Sequence, residues 1–164
     1  MKSTTLMIKS IVLFIFLWLS AVDSGAEPWR GIVPLKSTRV DVERLLGKPI
    51  PGELNFEAKY KLEKEEVRIH YSVKKFCREA ERCECRVPDD TVKEISVESR
   101  LELRFSTLGV DKSKFESFPL VEDVSILVYF NRVAGLIYAV RDDKVLYTQY
   151  SGSEKNCEKV LRKL

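Results

Sequence analysis

The sequence predicts an α+β fold, an antiparallel, meander-rich sheet of about five to six strands with an N-terminal helix and a short C-terminal helix packed on it. Two observations predict this class. Apolar and polar residues alternate in several short runs between residues 55 and 150, which is the period of a half-buried strand. Two flanking segments, 38–49 and 153–164, instead space their apolar residues three or four positions apart, which is typical of an amphipathic helix.

An apolar run at the start of the chain predicts a secretory signal peptide. Lys2 and Lys9 precede the run 11–20, and the small residues Ser24 and Ala26 follow it. This is the order of a basic region, an apolar region and a cleavage site. The run is shorter than the about 20 apolar residues that cross a bilayer. We therefore expect cleavage after Ala26, with a short uncleaved anchor as the alternative.

The predicted organisation is a signal peptide, 1–26, followed by a single α+β domain, 27–164. Such a product is secreted or periplasmic and has no stable membrane span after signal cleavage. The whole chain has 28 basic and 25 acidic residues, and so balanced a mixture does not indicate the clustered basic face that nucleic acid requires. We therefore expect an envelope or extracellular protein as partner, and no nucleic acid.

The first predicted helix has clear signals at both ends. Thr38 suits the N-cap, and Asp41 stands three residues later, where a capping-box acid would lie. Gly47 and Pro49 form a stop signal. Apolar residues with helical spacing lie between these ends, at Val42, Leu45 and Leu46. The segment therefore predicts a helix that packs one apolar stripe on the sheet.

The strands follow from the period of the apolar residues. Six runs are predicted as strands, at 55–62, 65–73, 91–99, 125–130, 135–140 and 144–150. Between residues 101 and 120 the period is unclear, and a continued strand, a turn and a single helical turn all remain open. Ser153 is suited to cap a last helix within 154–164.

The four cysteines, Cys77, Cys83, Cys85 and Cys157, are disulfide candidates. An even number in an exported chain predicts two disulfides. A bond between Cys83 and Cys85 would close a small, strained ring. We therefore expect one local bond from Cys77 to either of these two, with the other bonded to Cys157. A zinc site formed by the cysteines of the loop with His70 or Cys157 is the alternative, although the spacing differs from the usual C-x2–4-C pairs.

No catalytic, cofactor-binding or metal-binding residue can be assigned, and no cofactor is expected. His70 is the only histidine of the chain, and alternation places it on the polar side of its strand. Acidic pairs at 89–90 and 142–143 fall in predicted turns, where aspartate is a common turn former. The sequence contains no G-x-S-x-G, phosphate-loop, G-x-G-x-x-G or H-E-x-x-H motif. These observations favour a non-catalytic binding or structural accessory domain; a small secreted hydrolase or lyase of unfamiliar design, or a small-ligand carrier, is the alternative.

Tyrosines of the last three predicted strands are candidates for a partner patch. Two of these strands are apolar on both sides, and two short helices offer limited cover. Tyr129, Tyr138, Tyr147 and Tyr150 would then remain accessible, and exposed aromatic residues are typical of partner sites. Loops and the last helix could instead close the second face, which is the alternative.

Two stretches carry a resemblance to known proteins. With "STRVDVERLLGKP" and "CRVPDDTV", the chain resembles a family of uncharacterised exported bacterial proteins, from Trp29 to about Cys157. The first stretch is also similar to the T-x-x-x-V-x-x-x-L-G-x-P pattern of the SmpA/OmlA lipoproteins of outer-membrane assembly and of β-lactamase-inhibitor-like domains. The chain departs from these in lacking a lipidation cysteine, in having one helix before the sheet and in its cysteine loop. The resemblance implies a non-catalytic envelope or secreted domain that acts through protein contacts, and it transfers no functional residues.

The predicted cleavage can be tested on the protein recovered from its natural host. Because the small residues at 24 and 26 fit the cleavage site, the intact mass should correspond to a chain that begins at Glu27. A mass that includes residues 1–26 would contradict this and would favour the anchor.

Overall fold

A computed structural model describes residues 28–52, 54–76 and 83–162, and within them one seven-stranded antiparallel sheet forms the centre of the fold. Its strands are β1 (Glu57–Lys61), β2 (Glu65–Tyr71), β3 (Val92–Ser99), β4 (Glu116–Pro119), β5 (Leu127–Asn131), β6 (Leu136–Arg141) and β7 (Lys144–Ser151). Two α-helices accompany them, α1 (Arg39–Leu46) and α2 (Glu154–Leu161). No helix in the described ranges is long and apolar enough to cross a membrane.

The predicted α+β class with five to six strands is wrong. Within the described ranges the sheet has seven strands and the two α-helices have eight residues each, so this part of the chain is mostly β. The additional strand is β4, within the stretch whose period was unclear. All four of its residues are exposed, so no buried row produces the alternation on which strand prediction depends.

The sheet consists of two meanders joined in the middle. Its spatial order is β1-β2-β3-β7-β6-β5-β4. Strands β1 to β3 form one meander and β4 to β7 the other, and β3 pairs with β7. Since β3 lies mid-sheet and β4 lies at the far edge, the connecting residues 100–115, here called the cover segment, must pass β7, β6 and β5.

One face of the sheet carries the main core, and we call it the inner face. Over β1, β2 and β3, alternate side chains point to this face. They are buried beneath α1 and beneath residues 28–38, which we call the N-terminal segment. The cluster contains Trp29, Ile32, Val42, Ala58, Tyr60, Val67, Ile69, Tyr71, Val92, Ile95 and Val97. The predicted capping box of α1 is confirmed, because the Thr38 side chain accepts from the Asp41 N–H and the Asp41 carboxylate accepts from the Thr38 N–H. Val42 is the buried residue of this helix.

The cover segment packs on the other half of the inner face through Phe105. This ring contacts Val140 and Val145. The N–H of Phe105 donates to the Asp143 carbonyl at 2.7 Å. The Ser106 N–H and hydroxyl donate to the Asp143 carboxylate at 2.9 and 2.6 Å. Asp143 therefore helps to hold the cover segment, together with the Val145 N–H, which donates to the Leu103 carbonyl at 2.8 Å.

A third cluster holds α2 at one end of the sheet. Cys83 and Cys157 form a disulfide across 74 residues of sequence. Leu35, Cys83 and Val87 are buried there, with Cys157 and Val160 of the helix packed against them. The predicted bond to Cys157 is therefore confirmed, with Cys83 as its partner.

The predicted local disulfide involves the remaining two cysteines, Cys77 and Cys85. Cys85 is also disulfide-bonded, whereas Cys77 lies outside the described residues. Because Cys83 is already bonded to Cys157, the prediction of a local bond narrows to Cys77 with Cys85, and this pairing stays a prediction.

Removing the long-range disulfide should cost much of the stability. In the variant that carries both Cys83→Ala and Cys157→Ala, we expect the free energy of unfolding to fall by about 4 kcal/mol, because the unfolded chain regains the entropy of a long closed loop. Urea unfolding measures this change, and a loss below about 1 kcal/mol would contradict it.

The pairing of the four cysteines can be tested separately by digestion without reductant. A Glu-specific protease can cut after Glu84, and the digest of the unaltered chain should then contain separate Cys83–Cys157 and Cys77–Cys85 fragments.

The contact between Asp143 and the cover segment should depend on pH. Hydrogen bonds from the Ser106 side chain and backbone lower the pKa of Asp143 below 3.8. A carboxyl group whose pKa is lower in the folded state stabilises the fold above the unfolded pKa, and this contribution is lost as the pH falls through the folded pKa. In Asp143→Asn, the urea midpoint should therefore fall less steeply below pH 3.8 than in the unaltered chain.

The neighbouring residue supplies a matched control for this measurement. Asp142 lies in the same turn, is exposed and has the same left-handed backbone conformation, with φ of 48° against 65° for Asp143. Asp142→Asn should keep the pH dependence of the unaltered chain. Equal slopes for the two variants would show that the Asp143 contact does not stabilise the cover segment.

Candidate functional site

The opposite, outer face of β1 to β3 carries a group of paired charges. His70 Nε2 lies 3.0 Å from Glu57 Oε2, and Lys59 Nζ lies 3.2 Å from Glu57 Oε1. Arg68 Nε lies 4.0 Å from the same oxygen. Burial raises the pKa of Glu57, but the hydrogen bond from Lys59 and the charges of all three neighbours hold it below its usual value. A carboxylate kept ionised in this way is a weak proton acceptor near neutral pH, so the group is better suited to stabilising the strands than to acid–base chemistry.

Two hollows on the surface are also lined in part by paired charges. One, of about 290 Å³, lies on the outer face beside Glu66, which accepts from Arg100 at 2.9 Å. The other, of about 430 Å³, lies beside Arg39 and Asp90, whose side chains are 2.9 Å apart. The carboxylates of these two pairs, Glu66 and Asp90, are 59% and 58% exposed. Because exposed ion pairs are weak, neither hollow presents a strong site for an ionic ligand.

The two edges of the sheet are poor templates for an added strand. Strand β4 has four residues and ends at Pro119, which has no N–H to donate. At the other edge, the Ile50 N–H already donates to the Lys59 carbonyl at 2.7 Å. Short strands, proline and occupied carbonyls are common means of protecting an edge from strand pairing. A partner is therefore better sought on a face than at an edge.

A cleft of about 160 Å³ opens on the inner face, where the N-terminal segment and the cover segment separate, and we call it the aromatic cleft. It is lined by Trp29, Glu65, Val97, Ser99, Leu103, Leu108, Tyr138, Val145, Thr148 and Tyr150. Its floor includes Val97 and Thr148, which face each other across the β3–β7 pairing. The cleft thus lies directly over the junction of the two meanders.

A tight turn places one wall of this cleft. The Trp29 N–H donates to the Ile32 carbonyl at 3.1 Å, and the Ile32 N–H donates back at 2.8 Å. The two residues between them, Arg30 and Gly31, have φ of 49° and 82°. A two-residue turn with both central residues in the left-handed region is the I′ type, in which glycine is free of strain. This turn holds the Trp29 ring against the sheet.

The cleft has one carboxylate at its rim. Glu65 is the first residue of β2 and shares the inner face with the buried residues Val67, Ile69 and Tyr71. Its Oε2 lies 2.9 Å from Arg30 Nη2, and its side chain is 24% exposed. The Arg30 guanidinium also lies 5.3 Å from the centre of the Trp29 ring. The rim therefore combines an aromatic face with a negative charge.

The four candidate tyrosines do not form one continuous patch. Tyr138 and Tyr150 line the aromatic cleft, and Tyr129 lies behind it with its ring centre 4.4 Å from that of Phe105. Tyr147 lies on the outer face, since neighbouring residues of a strand point to opposite faces and Thr148 is on the inner face. The sequence analysis missed Trp29, which belongs to no periodic run, and Glu65.

Among the described residues, no group of three or more histidine, cysteine, aspartate or glutamate side chains is placed to hold a metal ion. The aromatic cleft, a concave surface lined by aromatic side chains, is the candidate functional site. No family model matches the chain, and no curated protein or solved structure matches it either. The resemblance to exported bacterial proteins and to the outer-membrane lipoproteins stays a prediction, and the function is inferred from the geometry of this chain.

Proposed function

We propose that this protein is an exported, non-catalytic accessory domain that binds an envelope or extracellular protein through the aromatic cleft. The observation that carries this proposal is a concave site with Trp29, Tyr138 and Tyr150 among its lining residues. Aromatic residues around a central pocket are typical of the positions that supply most of the affinity in protein interfaces.

The size of the cleft favours a protein partner over a free small ligand. Ligand pockets usually measure about 300–1,000 Å³, whereas this cleft measures about 160 Å³. A cavity of about 150 Å³ accepts one benzene ring. The cleft therefore has room for one side chain, and such a contact needs the surrounding surface of a protein partner to become strong.

The disulfide supports the exported location. Stable disulfides are typical of secreted and periplasmic proteins, and Cys83 is bonded to Cys157 in this chain. The bond fixes α2 at the end of the sheet where β7 finishes. It therefore suits a domain that must keep its binding surface in shape outside the cytosol.

Site-specific photo-crosslinking in the natural host tests the proposed surface. A photoreactive phenylalanine at position 103, which lines the cleft and is 36% exposed, should give a defined adduct with one protein. At Val133, which is 66% exposed and lies in the turn between β5 and β6, it should give none. Adding Leu108→Lys should weaken the adduct about tenfold, because a charge on the cleft wall costs about 1.4 kcal/mol or more on burial.

The comparison of positions 103 and 133 shows whether the partner contacts the cleft or another part of the surface. Equal adducts at positions 103 and 133, or none at 103, would contradict the proposal. Retention of the Cys83–Cys157 bond and of the circular dichroism spectrum would show that Leu108→Lys is folded.

A further inference from the structure

We infer that the aromatic cleft binds a basic side chain of its partner, an arginine or a lysine, with Glu65 as the counterion. This inference rests on the proposed function and adds the chemistry of the bound group. It follows from the one charge in the cleft, from the rings around it and from the contact that Arg30 already makes there.

The charge comes first. Among the described residues that line the cleft, Glu65 is the only one with a charged side chain. It occupies the inner face of β2, where the next residues of the same row, Val67 and Ile69, are buried and apolar. A carboxylate beside a mostly apolar lining favours a cation that has an apolar stem, and it disfavours an acidic side chain by repulsion.

The rings supply the second part of the recognition. Trp29, Tyr138 and Tyr150 line the same cleft. The face of an aromatic ring attracts a cation, tryptophan most strongly, and arginine is the most frequent partner. A guanidinium can also stack its flat surface on such a ring while it donates hydrogen bonds to a carboxylate.

Arg30 shows that this chemistry fits the rim. Its guanidinium donates to Glu65 at 2.9 Å and lies 5.3 Å from the centre of the Trp29 ring. The Arg30 side chain is 54% exposed, and exposed ion pairs of this kind contribute little to stability. We therefore expect a basic side chain of the partner to replace Arg30 at Glu65 with little loss of stability.

Capped amino acids test this inference on the full chain. The probes are N-acetyl-arginine amide, the neutral and nearly isosteric N-acetyl-citrulline amide, and N-acetyl-phenylalanine amide. Binding is followed from the NMR shifts of the backbone amides of Glu65, Val97 and Thr148. The arginine probe should bind about tenfold more tightly than the citrulline probe. A hydrogen bond that involves a charged group increases affinity by about this factor more than a neutral hydrogen bond does.

Three variants assign the effect to the rim. Glu65→Gln should remove the preference for arginine over citrulline. Arg30→Gln should tighten binding of the arginine probe severalfold, because the competing cation is lost. Arg132→Gln is the matched control, because it removes an equal charge from an exposed pair with Glu116 outside the cleft, and it should leave binding unchanged.

The possible outcomes separate this inference from the proposed function. Equal binding of arginine and citrulline, preference for the phenylalanine probe, absence of shifts with all three probes, or weaker binding after Arg30→Gln would each overturn the inference. A cleft-specific adduct at position 103 together with any of these results would leave the proposed function standing. Loss of that adduct would overturn both.

Discussion

The pairing of β3 with β7 is the contact on which the rest of the structure depends. It joins two meanders that are each built from neighbouring stretches of sequence, and it does so through four residue pairs, from Glu94 with Ser151 to Val97 with Thr148. Without it, the chain would form two small sheets, each with an additional open edge. Because of the same pairing, the cover segment must cross the inner face. The aromatic cleft lies where the cover segment and the N-terminal segment separate.

The antiparallel sheet presents different surfaces on its two faces over β1 to β3. The inner face is apolar and covered, whereas the outer face carries charges, with Glu57 among its cationic neighbours. Antiparallel sheets commonly face solvent on one side in this way. The predicted two-sided burial of β5 and β6 agrees with buried residues of both parities there, such as Val128 and Ala139 on the outer face and Val140 on the inner face.

Much of the local structure could be predicted, because its causes lie close together in sequence. The capping box of Thr38 and Asp41, the turn at Asp142 and Asp143, and the strands with alternating apolar rows follow from neighbouring residues. Strand β4 could not be predicted, since its exposed side chains leave no such row. The β3–β7 pairing was also beyond reach, because its partners are more than fifty residues apart and no local pattern marks them.

The candidate site could be predicted only in part, because it brings together residues that are distant in sequence. Tyr138 and Tyr150 lie in predicted strands, so an aromatic surface could be expected, but Trp29 reaches the site from a turn outside any periodic run. Glu65 had a usable signal, because it stands on the apolar side of its own strand. A carboxylate at such a position must either be paired with a cation or remain in contact with water. In this structure Glu65 is paired with Arg30.

The walls of the cleft are held by short-range contacts, and this affects how it would bind. Trp29 is fixed by the hydrogen bonds of its two-residue turn, and the cover segment is fixed by the hydrogen bonds between Ser106 and Asp143. A site whose walls are already ordered loses little conformational entropy when a side chain enters. The exposed part of the rim is the Arg30 side chain, and under the proposed recognition a basic side chain of the partner would take its place at Glu65. Selectivity at such a site would come from Glu65, because an incoming group that cannot replace the charge of Arg30 leaves that ion pair in place and gains only the contact with the rings.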